Sequence, residues 1–168
     1  MYLRWFWLLK ILFVCTGNTC RSPMAEYLMK DKIKKENLED KIEVKSAGLF
    51  VDQNSVKPSA LAVEVLKEDY QIDMSVHKPQ VINIDLIMES DLILCMEETM
   101  AIYLKANLHN IDEDSILLVE TLKSYVGQNG NVSDPYGGDI QVYRNTAKEL
   151  DQLTTQIIEK IKISNNLR

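Results

Sequence analysis

The sequence predicts an α/β fold, a doubly wound four-stranded parallel sheet with helices on both faces. Short apolar runs alternate with longer segments of helical periodicity along the chain, a pattern typical of parallel sheets. Residues 92–96 contain no polar side chain other than a thiol, as expected for a central strand covered on both faces. A length of 168 residues and a hydrophobic content of 46% fit one domain, which we place at residues 10–168.

The elements of the first half follow from local patterns. Residues 11–14 are aliphatic or aromatic and predict a buried strand, whereas residues 24–36 carry apolar side chains on one face and predict a helix. Residues 42–48 alternate and end at a glycine, which indicates a second strand. The polar segment 51–57 is predicted to be a loop, after which Pro58 opens a second helix.

The second half repeats this alternation. Residues 73–80 and the glycine-rich residues 127–138 have loop character. Strands are predicted at 92–96 and 116–119, and helices at 81–90, at 100–106 and from about Ile140 onward.

Composition excludes several classes of function. A net charge of −6 and a pI near 5.0 argue against a general nucleic-acid binder or a protein of anionic membranes. The three cysteines, Cys15, Cys20 and Cys95, show no disulfide-framework spacing, which favours a reducing cytoplasm. His77 and His109 are distant from these cysteines in sequence, so no zinc-ligand spacing is visible.

Residues 1–9 are set apart by their composition, since both tryptophans of the chain lie there. Lys10 interrupts the apolar stretch, which is too short to span a bilayer, so we expect no stable membrane insertion. We treat this segment as an extension of unknown role. A dispensable extension is favoured over a membrane-surface contact.

Residues 14–23 concentrate the chemistry of the chain: a thiol, a glycine, an arginine and a helix start follow the first strand. Ser22 is predicted to be the N-cap of the helix, with Pro23 at its first position. Such a junction points backbone N–H groups and the positive end of the helix dipole at one place, which suits a phosphate dianion. Gly17 can take a positive φ and Asn18 tolerates one, so we expect the loop to curl its amides inward.

Two side chains would act on a phosphate bound there. The guanidinium of Arg21 fits two phosphate oxygens. Cys15 would lie at the base of the loop, and amides, guanidinium and helix dipole together are expected to lower its pKa below the usual value of about 8.5. A thiolate under a bound phosphate is a nucleophile for in-line attack on phosphorus.

The spacing Cys-x5-Arg-Ser and its context CTGNTCRSPMAE resemble the signature loop of low-molecular-weight protein phosphatases. The resemblance extends over nearly the whole chain from Lys10 onward and implies Cys15 as nucleophile and a reaction without metal or cofactor. It also implies that Asp134, in an Asp-Pro-aromatic motif, is the general acid that protonates the leaving group and later activates water. The phosphate-binding residues are then Thr16, Gly17, Asn18, Thr19, Cys20 and Arg21.

Further positions match the family one by one. Asn18, Ser46 and His77 resemble polar residues that brace the loop, and Ser22 resembles a hydroxyl that stabilises the thiolate. Cys20 corresponds to a second loop cysteine, which in the family forms a reversible disulfide with the nucleophile. For Ser46, His77 and Cys20 an ordinary structural role remains a competing interpretation.

Thr19 is the position that bears on the substrate. Tyrosine-directed members carry an aliphatic residue there, whereas threonine occurs in bacterial members that dephosphorylate arginine, so the chain is most similar to bacterial protein-arginine phosphatases. A hydroxyl offers a polar contact to a guanidinium and less apolar contact to a phenyl ring. The segment 51–57 lacks an aromatic wall, while Tyr136 supplies a ring on which a guanidinium can stack. We therefore expect phosphorylated protein substrates, with phosphoarginine favoured over phosphotyrosine.

Two other classes were weighed. An arsenate reductase of the same fold needs two further relay cysteines close together, and this chain offers only Cys95 on a predicted buried strand. A non-catalytic redox or anion sensor would use Cys15 and Cys20 without turnover, and the presence of Asp134 argues against it. The substrate proteins and the oligomeric state are not indicated by the sequence.

Overall fold

The computed structural model describes residues 8–108 and 119–165 of the chain. Four strands form a parallel sheet in the order β2-β1-β3-β4, so the predicted fold class is confirmed. The strands are β1 Leu9–Cys15, β2 Ile42–Gly48, β3 Leu92–Cys95 and β4 Val119–Thr121. The helices are α1 Arg21–Lys35, α2 Ala60–Tyr70, α3 Ile84–Glu89, α4 Glu98–Leu108, α5 Leu122–Tyr125 and α6 Ile140–Ser164.

The direction of the crossovers places helices on both faces of the sheet. The connection through α1 runs from β1 to β2, whereas those through α3 and α4 run the other way, from β2 past β1 to β3 and from β3 to β4. Because parallel crossovers are right-handed, opposite directions put their helices on opposite faces. The long helix α6 packs on α1, against the face that α1 covers.

The core is centred on the two inner strands. Every residue of β3 is buried, and β1 is buried from Ile11 to Cys15. The amphipathic pattern predicted for α6 is confirmed, because the side chains at helical spacing that face inward are buried: Ala147, Leu150, Thr154, Ile157, Ile158 and Ile161.

Several element boundaries differ from prediction. Leu9 pairs with Ile42, so β1 begins one residue before the predicted domain start at Lys10. The helix predicted at 81–90 is the shorter α3, because Val81 bridges to the end of β2 at Gly48 instead. The short helix α5 was not predicted.

Three predictions lie partly or wholly outside the described residues. They concern most of the extension 1–9, the residue His109, and the first three residues of the strand predicted at 116–119, whose last residue lies in β4. Among the described residues, no helix has the length and apolarity needed to cross a membrane.

Candidate active site

The loop between β1 and α1 lies where the topology of the sheet reverses. The chain leaves β1 toward β2 on one side, and β3 flanks β1 on the other. In open α/β sheets the crevice outside the carboxyl ends of such strands is the usual ligand site. Cys15, the last residue of β1, lies at this edge, and Glu97 follows the end of β3 there.

Helix α1 begins earlier than predicted. Its first residue is Arg21 and its N-cap is Cys20, so the prediction of Ser22 as N-cap is wrong. Ser22 and Pro23 occupy the second and third helical positions, where a missing proline N–H has no cost because these N–H groups lack intrahelical partners. The Ser22 hydroxyl is used elsewhere: it contacts Cys15 Sγ at 2.9 Å.

Asn18 carries the unusual backbone conformation of the loop. Its φ is 54°, in the left-handed region. Gly17 does not have a positive φ, so of the two residues that could adopt this conformation it is Asn18 that does. The side chain of Asn18 is fully buried and uses all of its hydrogen-bonding capacity. Nδ2 donates to Ser22 Oγ and to Ser46 Oγ, both at 2.9 Å. Oδ1 accepts from the Gln80 N–H at 3.0 Å and from His77 Nε2 at 3.1 Å.

The network continues away from the loop. Ser46 donates to Glu26 Oε2 at 2.5 Å. His77 Nε2 lies 3.1 Å from the backbone carbonyl oxygen of Asn18 as well as from its Oδ1, so Nε2 carries the hydrogen. Burial lowers the pKa of His77 below its ordinary value, although the nearby Glu26 opposes this, and the ring is therefore a neutral donor at pH 7. The structure thus brings Ser46 and His77 together at Asn18, in the bracing position that the resemblance implied.

Three groups around Cys15 favour its thiolate, but burial opposes them. Burial raises the pKa of the Cys15 thiol, and this effect exceeds the lowering by Ser22, by the charge of Arg21 and by the N–H of Asn18, which lies 3.3 Å from Sγ. The expected fall in the pKa of Cys15 is therefore wrong, because the depth at which β1 ends outweighs the local donors. Ser22 Oγ also accepts from Asn18 Nδ2 at 2.9 Å and donates to the Ala47 carbonyl oxygen at 3.4 Å, so this hydroxyl joins the sulfur to the network around the loop.

Arg21 is 2% exposed and is held by four contacts. Nη1 donates to Glu97 Oε1 at 2.5 Å and to the Val132 carbonyl oxygen at 2.9 Å. Nη2 donates to Thr16 Oγ1 at 3.4 Å and lies 3.4 Å from Asp134 Oδ2. One edge of the guanidinium is thus fixed by Glu97 and Val132, and the other is directed at the loop and at the candidate acid.

Two hydrogen bonds attach the segment before Asp134 to the end of β3 and the start of α4. The Val132 N–H donates to the Met96 carbonyl oxygen at 2.9 Å, and Asn131 caps the first turn of α4 through the N–H of Glu98. Asp134 Oδ1 accepts from the Tyr136 N–H at 3.2 Å, and half of the side chain remains exposed. One carboxylate oxygen is therefore oriented by the turn while the other faces Arg21, a geometry suited to proton transfer at the loop.

The other two cysteines are buried and free. Cys20 Sγ lies 3.6 Å from the hydroxyl of Tyr143, which accepts from Ser59 at 3.1 Å. Burial raises the pKa of Cys95 to about 12. A thiol of that kind is a poor relay nucleophile, which argues against the arsenate-reductase interpretation.

The outer rim of the site is exposed. Thr16 is exposed, Thr19 is half-buried, and the Tyr136 ring is 82% exposed. The prediction that no aromatic wall follows β2 needs correction: the segment begins at Leu49, ahead of the predicted bounds 51–57, and includes Phe50, which is 65% exposed.

Comparison with known proteins agrees with this geometry. Residues 10–166 match the family "Low molecular weight phosphotyrosine protein phosphatase". The chain belongs to this family. As a low-molecular-weight phosphatase it is a cysteine-dependent protein phosphatase, and the family and enzyme class predicted from the sequence are confirmed.

Two curated relatives carry different substrate names. A protein-arginine-phosphatase of Bacillus subtilis is 39% identical over 153 residues, which cover 90% of this chain and 96% of the relative. The low-molecular-weight protein-tyrosine-phosphatase PtpB of Staphylococcus haemolyticus is also 39% identical, over 143 residues that cover 84% of this chain and 92% of the relative. Overall identity therefore does not separate the two substrates.

A solved structure extends the likeness to three dimensions. It is a cysteine-to-serine mutant of the arginine phosphatase YwlE with a phosphorylated active-site serine. The two folds superpose with a TM-score of 0.85 at 37% identity, over 95% of this chain and 100% of that one.

Sequence reasoning missed four residues of the site. Glu97 was detectable, because a polar residue directly after a buried strand lies at the site edge of a parallel sheet. Gly48 was named only as a strand end, yet a Cβ there would lie 2.6 Å from the Thr16 carbonyl oxygen. Glu26 pairs with Lys30 one turn away and reads in sequence as a solvated pair, although it is buried. The sequence places Tyr143 only on the apolar face of α6, so its contact with Cys20 could not be predicted.

Proposed function

We propose that this phosphatase hydrolyses phosphoarginine in proteins, with Cys15 as nucleophile and Asp134 as acid and base. The Cys15 thiolate attacks phosphorus, the P–N bond breaks, and Asp134 gives its proton to the departing guanidine nitrogen. Water then attacks the phosphocysteine while the Asp134 carboxylate takes its proton. Inorganic phosphate and the Cys15 thiolate are released.

The contacts of the site support these roles. Arg21 is fixed on one edge by Glu97 and Val132, and its other edge, which reaches Thr16 and Asp134, is the one that would meet phosphate oxygens. The loop residues Thr16, Gly17, Asn18, Thr19 and Cys20 supply N–H groups ahead of the helix α1 dipole.

The observation that carries the choice of phosphoarginine is Thr19. It is half-buried, and its hydroxyl is the nearest atom to where a Cβ on Gly17 would lie, at 3.9 Å. A polar group thus stands at the half-buried edge of the loop, where a guanidine N–H would be able to donate to it and a phenyl ring would not. The exposed Tyr136 ring offers a planar surface for the guanidine group.

The relatives support this choice in part. Relatives from Bacillus subtilis and Geobacillus stearothermophilus are named protein-arginine-phosphatases, at 39% and 36% identity. In the YwlE structure a serine in place of a cysteine is phosphorylated, as a covalent mechanism at Cys15 requires.

Phosphotyrosine is the second candidate substrate, and Phe50 favours it. An exposed aromatic ring beside the loop is the kind of wall that we had expected to be absent. We rank this candidate second because Phe50 follows the second strand and lies outside the phosphate loop, whereas Thr19 belongs to that loop.

The test is a comparison of kcat/KM on matched peptides that carry phosphoarginine or phosphotyrosine, under reducing conditions. A preference of at least about tenfold for phosphoarginine supports the proposal. A preference for phosphotyrosine overturns the substrate and leaves the mechanism intact. Turnover of neither peptide overturns both.

The redox role of Cys20 and the cellular compartment of the enzyme belong to the same proposal. Peroxide would oxidise the Cys15 thiolate to a sulfenic acid. The sulfur of Cys20 would then attack the sulfur of Cys15 and release water, and the resulting disulfide would switch catalysis off. Since this requires that both cysteines begin as free thiols, we place the enzyme in the reducing cytoplasm.

A further inference from the structure

Two exposed aromatic rings pack on each other at the edge of the site. The centroids of Phe50 and Tyr103 are 5.9 Å apart and their planes are tilted by 55°. The side chains are 65% and 46% exposed. We call this pair the aromatic shelf.

The shelf is fixed relative to the nucleophile by the main chain. The N–H of Leu49 donates to the carbonyl oxygen of Cys15 at 3.0 Å, and that of Phe50 to Thr16 at 2.9 Å. This approach depends on Gly48, where any Cβ would meet the loop. The shelf is therefore attached to the two residues that begin the phosphate loop.

Its second ring is attached from the other side of the site. Tyr103 lies on α4, which starts directly after Glu97, and Glu97 holds Arg21. The shelf thus spans from the end of β2 to the helix that follows β3.

A polypeptide bound at the loop places its neighbouring residues near the shelf. Only the phosphorylated side chain descends to Cys15, so the main chain stays at the rim. An extended chain advances about 3.3–3.6 Å per residue, and alternate side chains share one face. A residue two or three positions from the phosphorylated one therefore reaches the rings.

We propose that the aromatic shelf of Phe50 and Tyr103 binds an apolar side chain of the substrate, within about three residues of the phosphorylated residue. This inference rests on the proposed function and adds the sequence context that the enzyme selects. Burial of an apolar side chain on exposed rings is favourable. Since apolar side chains are buried in folded proteins, the preferred substrates are extended or unfolded segments.

The experiment uses phosphoarginine peptides that carry leucine or serine at each position within three residues of the phosphoarginine. For the wild type we expect kcat/KM to be about 5–10-fold higher with leucine at the best position, as burial of about half of that side chain implies. In the double variant Phe50→Ser, Tyr103→Ser the ratio of kcat/KM between the leucine and the serine peptide should fall to about one. In the single variant Tyr103→Ser, hydrolysis of free phosphoarginine, which has no neighbouring residues, should be unchanged.

Ile163→Ser is the matched control, because Ile163 is 80% exposed and lies near the far end of α6. It should retain the leucine preference. The proposal is overturned if the wild type shows no preference, or if the double variant keeps it. It is also overturned if Tyr103→Ser loses activity on free phosphoarginine to the same degree as on the leucine peptide, because the ring would then shape the loop.

The same peptides made with phosphotyrosine separate this inference from the proposed function. If only these are hydrolysed, phosphoarginine is the wrong substrate. The shelf is then judged by the leucine-to-serine ratio on the phosphotyrosine peptides, with the same variants.

Discussion

The inner and outer halves of the site differ in how firmly their side chains are held. The inner half is a closed network: Asn18 joins Ser22, Ser46 and His77, and Ser46 continues to Glu26, all of them buried. The outer half consists of side chains that are exposed or half-exposed, each with few partners: Thr16, Thr19, Asp134 and Tyr136.

This difference separates chemistry from substrate choice. In the described part of the chain every buried side-chain nitrogen and oxygen has a hydrogen-bond partner, so the inner half has one satisfied arrangement. Changes in the inner half should lower kcat/KM by a similar factor for every substrate. Changes in the outer half should alter kcat/KM for some substrates more than for others, because these side chains would meet the leaving group in the proposed mechanism.

Cys15→Ser should have the largest effect. A serine hydroxyl at the base of the loop is far less nucleophilic than a thiolate, so kcat should fall by more than about 10⁴-fold for phosphoarginine and phosphotyrosine peptides alike. Circular dichroism and the melting temperature show whether the fold is kept. Activity close to that of the wild type would exclude a phosphocysteine intermediate at this residue.

Asp134→Asn should come next, with a loss of about 10²–10⁴-fold in kcat, since an amide cannot protonate the leaving group. The loss should be smaller on p-nitrophenyl phosphate, whose leaving group needs little protonation. Equal losses on both kinds of substrate would assign Asp134 to phosphate binding instead of acid catalysis.

Ser22→Ala should change the pH dependence. The Ser22 hydroxyl lowers the pKa of Cys15 against burial, so its removal raises that pKa further and less thiolate is present at a given pH. The acid limb of the kcat/KM profile should therefore move to higher pH, with the difference from the wild type shrinking as pH rises. An unmoved acid limb would show that another group controls it.

The sequence predicted most of this molecule because its signals were local. The apolar run of β3, the periodicity of α6 and the spacing of Cys15 from Arg21 each depend on neighbouring residues, and the structure bears out the two elements. Parallel strands then bring their carboxyl ends to one edge, so the position of the site followed from the fold class.

Long-range contacts could not be predicted in the same way. Asn18 and Gln80 are 62 residues apart, and Arg21 and Val132 are 111 apart, so no sequence pattern joins them. The pKa of Cys15 was predicted in the wrong direction for a related reason. The donors are local and visible in sequence, whereas the depth of burial depends on the whole fold.

One measurement tests the division of the site most directly: the ratio of kcat/KM on phosphoarginine and phosphotyrosine peptides in the wild type, Thr19→Ile and Ser46→Ala. Thr19→Ile replaces a hydroxyl of the outer half by an apolar group, and it should shift the ratio toward phosphotyrosine by about tenfold or more. Ser46→Ala removes one hydrogen bond from Asn18 and one from Glu26, and it should lower both values of kcat/KM while the ratio stays within about twofold. An unchanged ratio in Thr19→Ile, or a shifted ratio in Ser46→Ala, would contradict the account.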